Sequence, residues 1–208
     1  MIIDVHSHAW EYPAHFSDDF RQQAKRAKAG VEMDLTVTYD AYRATAPNDT
    51  ITIVFGGKAK LSGLWVDDQH VAKYVAADPA RLIGFLSVDP TQSGWEEELR
   101  FGHQELGLRG IKLLSMYAGF RPDESRLDPL WQYATKHRLP VLLHTATTSR
   151  CRGSVHSSGA CATNVVPVCS NTGKRCLVAY CQSGSSRDSS GRKPAYIDNS
   201  LMPRRPSS

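Results

Sequence analysis

The sequence predicts an α/β fold of the (β/α)8 TIM-barrel type, incomplete at its C-terminal end, with about seven strands and no eighth. Three observations lead there. Short runs that are apolar on both faces alternate with helix-like stretches, the pattern of a parallel sheet covered by helices. The histidines best spaced as ligands stand at the ends of those runs, where barrel enzymes carry their chemistry. Neither a G-x-G-x-x-G nor a P-loop marks the crevice of an open doubly wound sheet.

Each element has a local reason. Residues 1–8, MIIDVHSH, form an apolar strand ending in two histidines. From about Phe16 to Ala29 a stretch rich in Lys, Arg and Gln reads as a solvated helix laid over the strand ends. A second strand, Ile51 to Gly56, is closed by Gly56-Gly57. Asp67 to Ala77 is a helix with Val71, Tyr74 and Val75 on one face, ending at Asp78-Pro79. Leu82 to Val88 is the third strand, stopped by Asp89-Pro90. Trp95 to Leu106 is a helix whose first turn holds Glu96, Glu97 and Glu98, suited to the positive end of its dipole, with Gly107 as its stop. Arg109 to Leu114 is the fourth strand, Asp128 to His137 a helix, and Leu139 to His144 the fifth strand. Arg175 to Tyr180 is the candidate for the sixth.

With 208 residues, one substantial core and one domain are expected. No basic n-region precedes an apolar signal core, and no run approaches the roughly 18 to 20 apolar residues of a membrane span. A soluble, cytoplasmic protein that does not engage membranes is the expectation. The formal charge of +4 is uneven: residues 1–148 carry −3 and residues 149–208 carry +7. A basic segment can bind nucleic acid, but this one lacks the interleaved aromatics of a stacking platform, so no nucleic-acid partner is expected. All five cysteines lie in residues 151–181, without the C-x2-C spacing of a structural zinc site.

His6 and His8 stand at i and i+2 on one strand, so both project from the same face, as two ligands of one metal must. Neutral imidazole is the commonest protein ligand for zinc and related metals. Asp4 lies two residues earlier on that face, available for polar support. His144, at the end of the fifth strand, is the third candidate ligand. A chance strand-end histidine is the plain alternative for each.

The D-x-H-x-H at the N-terminus, Gly110-Ile111-Lys112-Leu113, the segment Tyr117 to Asp123, and Leu130-Trp131 leading to Leu139 through Thr145 together resemble the amidohydrolase superfamily. More narrowly they are similar to the amidohydrolase-related branch that contains aminocarboxymuconate-semialdehyde decarboxylase and related aromatic-acid decarboxylases. The resemblance covers about residues 1–148. It implies a barrel holding a divalent metal, most commonly zinc, with His6, His8 and His144 as ligands. Such a metal would act as a Lewis acid and activate water for attack on a carbonyl or amide-type small molecule. It implies equally a non-oxidative decarboxylase of an aromatic or enol carboxylic acid. Lys112 could be a carbamylated metal bridge, a substrate contact or a strand-end ion pair. Trp10 and Tyr117 could line the substrate pocket or simply pack. Many relatives associate, so a homodimer is an open expectation.

The family pattern also asks for a histidine ending the sixth strand and an aspartate ending the eighth. The sixth-strand candidate ends in Tyr180 instead, and no eighth strand is visible. Residues 149–190 hold ten serines and all five cysteines but one leucine and no Ile, Phe or Trp. Such a segment reads either as a disordered polar stretch or as one translated out of frame. Residues 191–208 resemble the family again. An inactive remnant that at most binds metal is therefore the expectation from a different functional class.

Overall fold

A computed structural model describes residues 2–144 and the backbone of residues 178–180. The expectations for residues 149–177 and 181–208, including the cysteines and the basic segment, concern positions outside the described residues.

Among the described residues, eight strands and six α-helices follow one another: β1 (Ile2–His8), α1 (Asp18–Ala27), α2 (Tyr39–Thr45), β2 (Thr50–Phe55), β3 (Lys58–Ala59), β4 (Leu64–Trp65), α3 (Asp68–Val75), β5 (Leu82–Ser87), α4 (Trp95–Gln104), β6 (Ile111–Leu113), α5 (Ser115–Ala118), α6 (Asp128–His137), β7 (Val141–His144) and β8 (Val178–Tyr180). The main sheet runs β1-β2-β5-β6-β7-β8, and every neighbouring pair is parallel. Its first five strands curl into a half-barrel. Parallel strands need crossovers, and α3, α4 and α6 supply three of them across the outer face.

The two faces of the sheet bury different sets. Outward, Leu86, Ile111, Leu113, Val141 and Leu143 pack with Val71 of α3, Leu99 of α4 and Leu130, Trp131 and Ala134 of α6 in one continuous core. Inward, Phe55, Phe85 and Leu142 form a separate cluster with Ile53 and Ile83 against it. This is why the strands read as apolar throughout. Gly110 has a packing reason: a Cβ there would come within 2.4 Å of the Phe85 ring, so only glycine lets that ring lie against β6.

α1 has no buried residue, as its composition predicts, and Ser17 caps it by accepting from the Phe20 amide at 3.2 Å. Three features go beyond the sequence reading. They are the short helix α2, the one-turn helix α5, and the antiparallel ribbon β3–β4, to which Phe16 adds an isolated bridge at Leu64. Val178–Tyr180 pairs with β7, in line with the sixth strand read at Arg175–Tyr180.

The ribbon is fastened by charge. Lys58 is 4% exposed, and its Nζ donates to Asp68 Oδ2 at 3.0 Å and Glu98 Oε2 at 2.9 Å. The other Asp68 oxygen accepts the Ser87 amide at 2.9 Å, so ribbon, α3, α4 and β5 meet at one ion cluster. Burial pushes Asp68 up to about 6 against the opposing pull of Lys58. Burial alone would lower Lys58, but Asp68 and Glu98 hold it above its ordinary value.

Candidate active site

In a parallel barrel all strand C-termini share one end, so β1, β2, β6 and β7 bring His6, His8, Phe55, Lys112 and His144 towards a common mouth. The pairing of β1 with β2 shifts register between Asp4 and Ser7. Asp4 Oδ1 accepts the His6 amide at 3.0 Å, so that carboxylate supports the backbone at the shift. Across it the two imidazoles converge, with His6 Nε2 and His8 Nε2 3.1 Å apart. Two nitrogens bound tetrahedrally to zinc at their usual bond length lie about 3.3 Å apart, so the pair is spaced to chelate one ion.

Aromatic neighbours fix both rings. His6 and His8 meet the Phe55 ring edge-on at 5.0 and 4.8 Å. His8 stacks on Trp10 at 3.8 Å and 24°, and Trp10 Nε1 donates to the Gly56 carbonyl at 2.8 Å, which holds the indole in place. Of the two readings for Trp10, the structure gives it a contact with a candidate ligand.

Lys112 is the central buried cation-forming group. It is fully buried between Ile111 and Leu113, which face outward, and its Nζ finds no hydrogen-bond partner among the described residues. It stands 4.4 Å from the Phe55 ring centroid, a cation–π distance. Burial pulls its ammonium down to about 7. No acid partners it, so the strand-end ion pair considered from sequence does not form among the described residues.

His144 is buried at the end of β7, and its backbone carbonyl accepts from Ser115 Oγ at 3.4 Å. Tyr117, 38% exposed, lies over it with ring centroids 5.1 Å apart. Burial first, then Lys112, brings His144 down to about 4. His8 is lowered well below the ordinary imidazole range by burial, with His6 and Lys112 adding to it. Neutral imidazoles are the protonation state a metal requires, so the donor set fits a divalent ion. The structure brings His6 and His8 into chelating distance. It keeps His144 at the same mouth, outside a cluster in which all ligand atoms approach within 4.8 Å.

Phe55 and Ser115 were not singled out from the sequence. Phe55 sits where the Ile51–Gly56 run ends, so strand register could have found it. Ser115 is reached only through α5, which carries no periodic signal.

Comparison with known proteins follows the same lines. The family model described as Amidohydrolase matches residues 3–171. No curated protein sequence matches the chain significantly. An uncharacterised TIM-barrel protein from Bordetella bronchiseptica superimposes with a TM-score of 0.51 at 17% identity, over 70% of this chain and 55% of that one. A 5-carboxyvanillate decarboxylase from Sphingomonas paucimobilis gives 0.50 at 16% identity, over 72% and 53%. A 4-oxalomesaconate hydratase from Rhodopseudomonas palustris gives 0.41 at 18%, over 69% and 52%. The chain spans about half the length of these structures.

Proposed function

The chain belongs to the amidohydrolase family, and from that premise we propose a metal-dependent hydrolase that acts on a carbonyl or amide-type small molecule at the strand-end mouth. The observation that carries this reading is the 3.1 Å approach of His6 Nε2 and His8 Nε2. These two imidazoles would hold a divalent metal, zinc being the expectation from the donor type, with His144 as the third ligand. When bound, the ion supplies Lewis-acid stabilisation of negative charge on the substrate.

The protein's own groups do the rest. Trp10, tied to the Gly56 carbonyl, keeps the His8 ring from rotating. Phe55 packs its ring against the two imidazoles and limits their movement. Lys112 Nζ, with its ammonium brought to about 7, can hold a substrate carboxylate or carry a proton at neutral pH. Tyr117 covers His144 from the solvent side and is positioned to touch substrate.

A second reading is favoured by the aromatic lining of Trp10, Phe55 and Tyr117 around a buried lysine. A flat aromatic or enol carboxylic acid suits such a mouth, and its loss of carbon dioxide would make the protein a non-oxidative decarboxylase. The fold it shares with a 5-carboxyvanillate decarboxylase is compatible with this. An inactive remnant that only binds metal is the reading from another class.

Metal analysis of the purified chain beside His6→Ala and His144→Ala is the direct test. The expected result is metal in the parent chain, with less in both variants; equal content in all three would overturn the ligand assignment. Incubation with a panel of aromatic and enol carboxylic acids then separates the activities, since only the lyase releases carbon dioxide. No turnover by a metal-loaded chain would leave the remnant reading standing. Among the described residues no helix is long and apolar enough to cross a membrane.

A further inference from the structure

The geometry points to a second divalent-metal site, built from Glu11, His15 and His70, that ties the loop after β1 to the first turn of α3. It shares no ligand with the strand-end pair. Among the described residues it is the one group of three His, Cys, Asp or Glu side chains whose ligand atoms all lie within 4.8 Å of one another. Two imidazoles and one carboxylate form a zinc-type donor set that leaves a fourth position open.

The backbones of these residues are already held. The His15 amide donates to the Glu11 carbonyl at 3.1 Å, and the His15 carbonyl accepts from Trp65 at 3.0 Å, so the turn is pinned to strand β4. The His70 amide donates to the Asp67 carbonyl at 3.0 Å in the opening turn of α3. The two rings stand 4.5 Å apart at 81°, both half-buried, while Glu11 is exposed. Little chain movement is needed for three donors to close on one ion, which is what gives a site its affinity.

One existing contact bears on which His15 nitrogen coordinates. The Glu11 amide donates to His15 Nδ1 at 2.9 Å in an exposed setting; coordination through Nε2 leaves that bond in place, and coordination through Nδ1 hands the amide to water. Burial first, then His70, holds His15 below the ordinary imidazole range, the neutral state a metal ligand needs, while Glu11 and Asp67 add negative charge beside it that favours a cation. A groove of about 480 Å³ lined by His15, Asp19, Lys60 and Trp65 adjoins the cluster on the His15 side.

The test separates this site from the strand-end pair by removing the latter. In a His6→Ala/His8→Ala double variant, Co²⁺ titration followed by visible ligand-field absorption and by calorimetry is expected to show one bound equivalent. Adding His70→Ala or Glu11→Gln to that background is expected to weaken binding at least about tenfold, the lower bound even for losing a group that only supports a ligand. Failure of the double variant to bind Co²⁺, or unchanged affinity after either further substitution, overturns the site. Glu11→Gln alters an exposed side chain, so it reads out the site even if His70→Ala unfolds. Loss of metal from the double variant together with normal metal in the parent would sink this inference while leaving the strand-end assignment intact.

Discussion

Lys112 carries a group that water would solvate strongly, yet it sits fully buried over the face of Phe55, its Nζ without a hydrogen-bond partner among the described residues. That position has a measurable cost. The unfolded chain takes up a proton near 10.5 and the folded metal-free chain only near 7, so between those values the unfolded state binds more protons and stability rises with pH. The full displacement is worth on the order of 5 kcal/mol. Lys112→Met is expected to stabilise the metal-free chain by about 3 kcal/mol at pH 7 and to flatten the rise between pH 7 and 10. Urea denaturation across that range checks it, and parallel curves for the two proteins would refute it. His144 contributes in a lower window. Its folded value near 4 lies under the ordinary 6.5, so stability is lost as pH falls between them. At this scale the i, i+2 spacing made His6 and His8 legible, because two-residue periodicity on a strand survives even a local register shift. Lys112 was visible as a residue but not as a buried one, since depth inside a barrel depends on neighbouring strands. Glu11, His15 and His70 gave no signal, because a turn and a helix far apart in sequence must meet before they form a cluster.

The ribbon β3–β4 shows how an element too short to stand alone is held. Two residues per strand make few ladder bonds; Ala59 and Leu64 join the main core, and the Lys58 ion cluster adds an attachment to α3, α4 and β5. Removing the cation leaves Asp68 buried and uncompensated. Lys58→Met is therefore expected to cost about 3–5 kcal/mol near pH 8. The cost should shrink below pH 6, where Asp68 protonates in place. Chemical denaturation at the two pH values tests this, and an equal loss at both would show that packing rather than charge fastens the ribbon. Regular elements were readable for the matching reason. Asp128–His137 is a helix with the bounds its sequence gives, and Leu82–Ser87 ends one residue before the expected Val88. The ribbon, α2 and α5 were not readable, because two-residue strands show no alternation and helices of four to seven residues complete too few turns to set a period.

Across the whole molecule the sheet curls, and among the described residues β1 and β8 are each paired along one side. A parallel barrel closes by pairing its first strand with its last, and an open edge is a template for another chain. Sedimentation velocity over a range of concentrations is expected to show self-association; a concentration-independent monomer with a cooperative thermal transition would contradict it. The barrel class was legible because alternating β and α segments leave few topologies once crossovers are right-handed. Strand order has a further consequence. In the main sheet it follows chain order without a single inversion, β1-β2-β5-β6-β7-β8. Each new strand therefore docks on one that precedes it in the chain. A polypeptide emerging from the ribosome can lay this sheet down stave by stave, each strand from β2 onward meeting a partner already made.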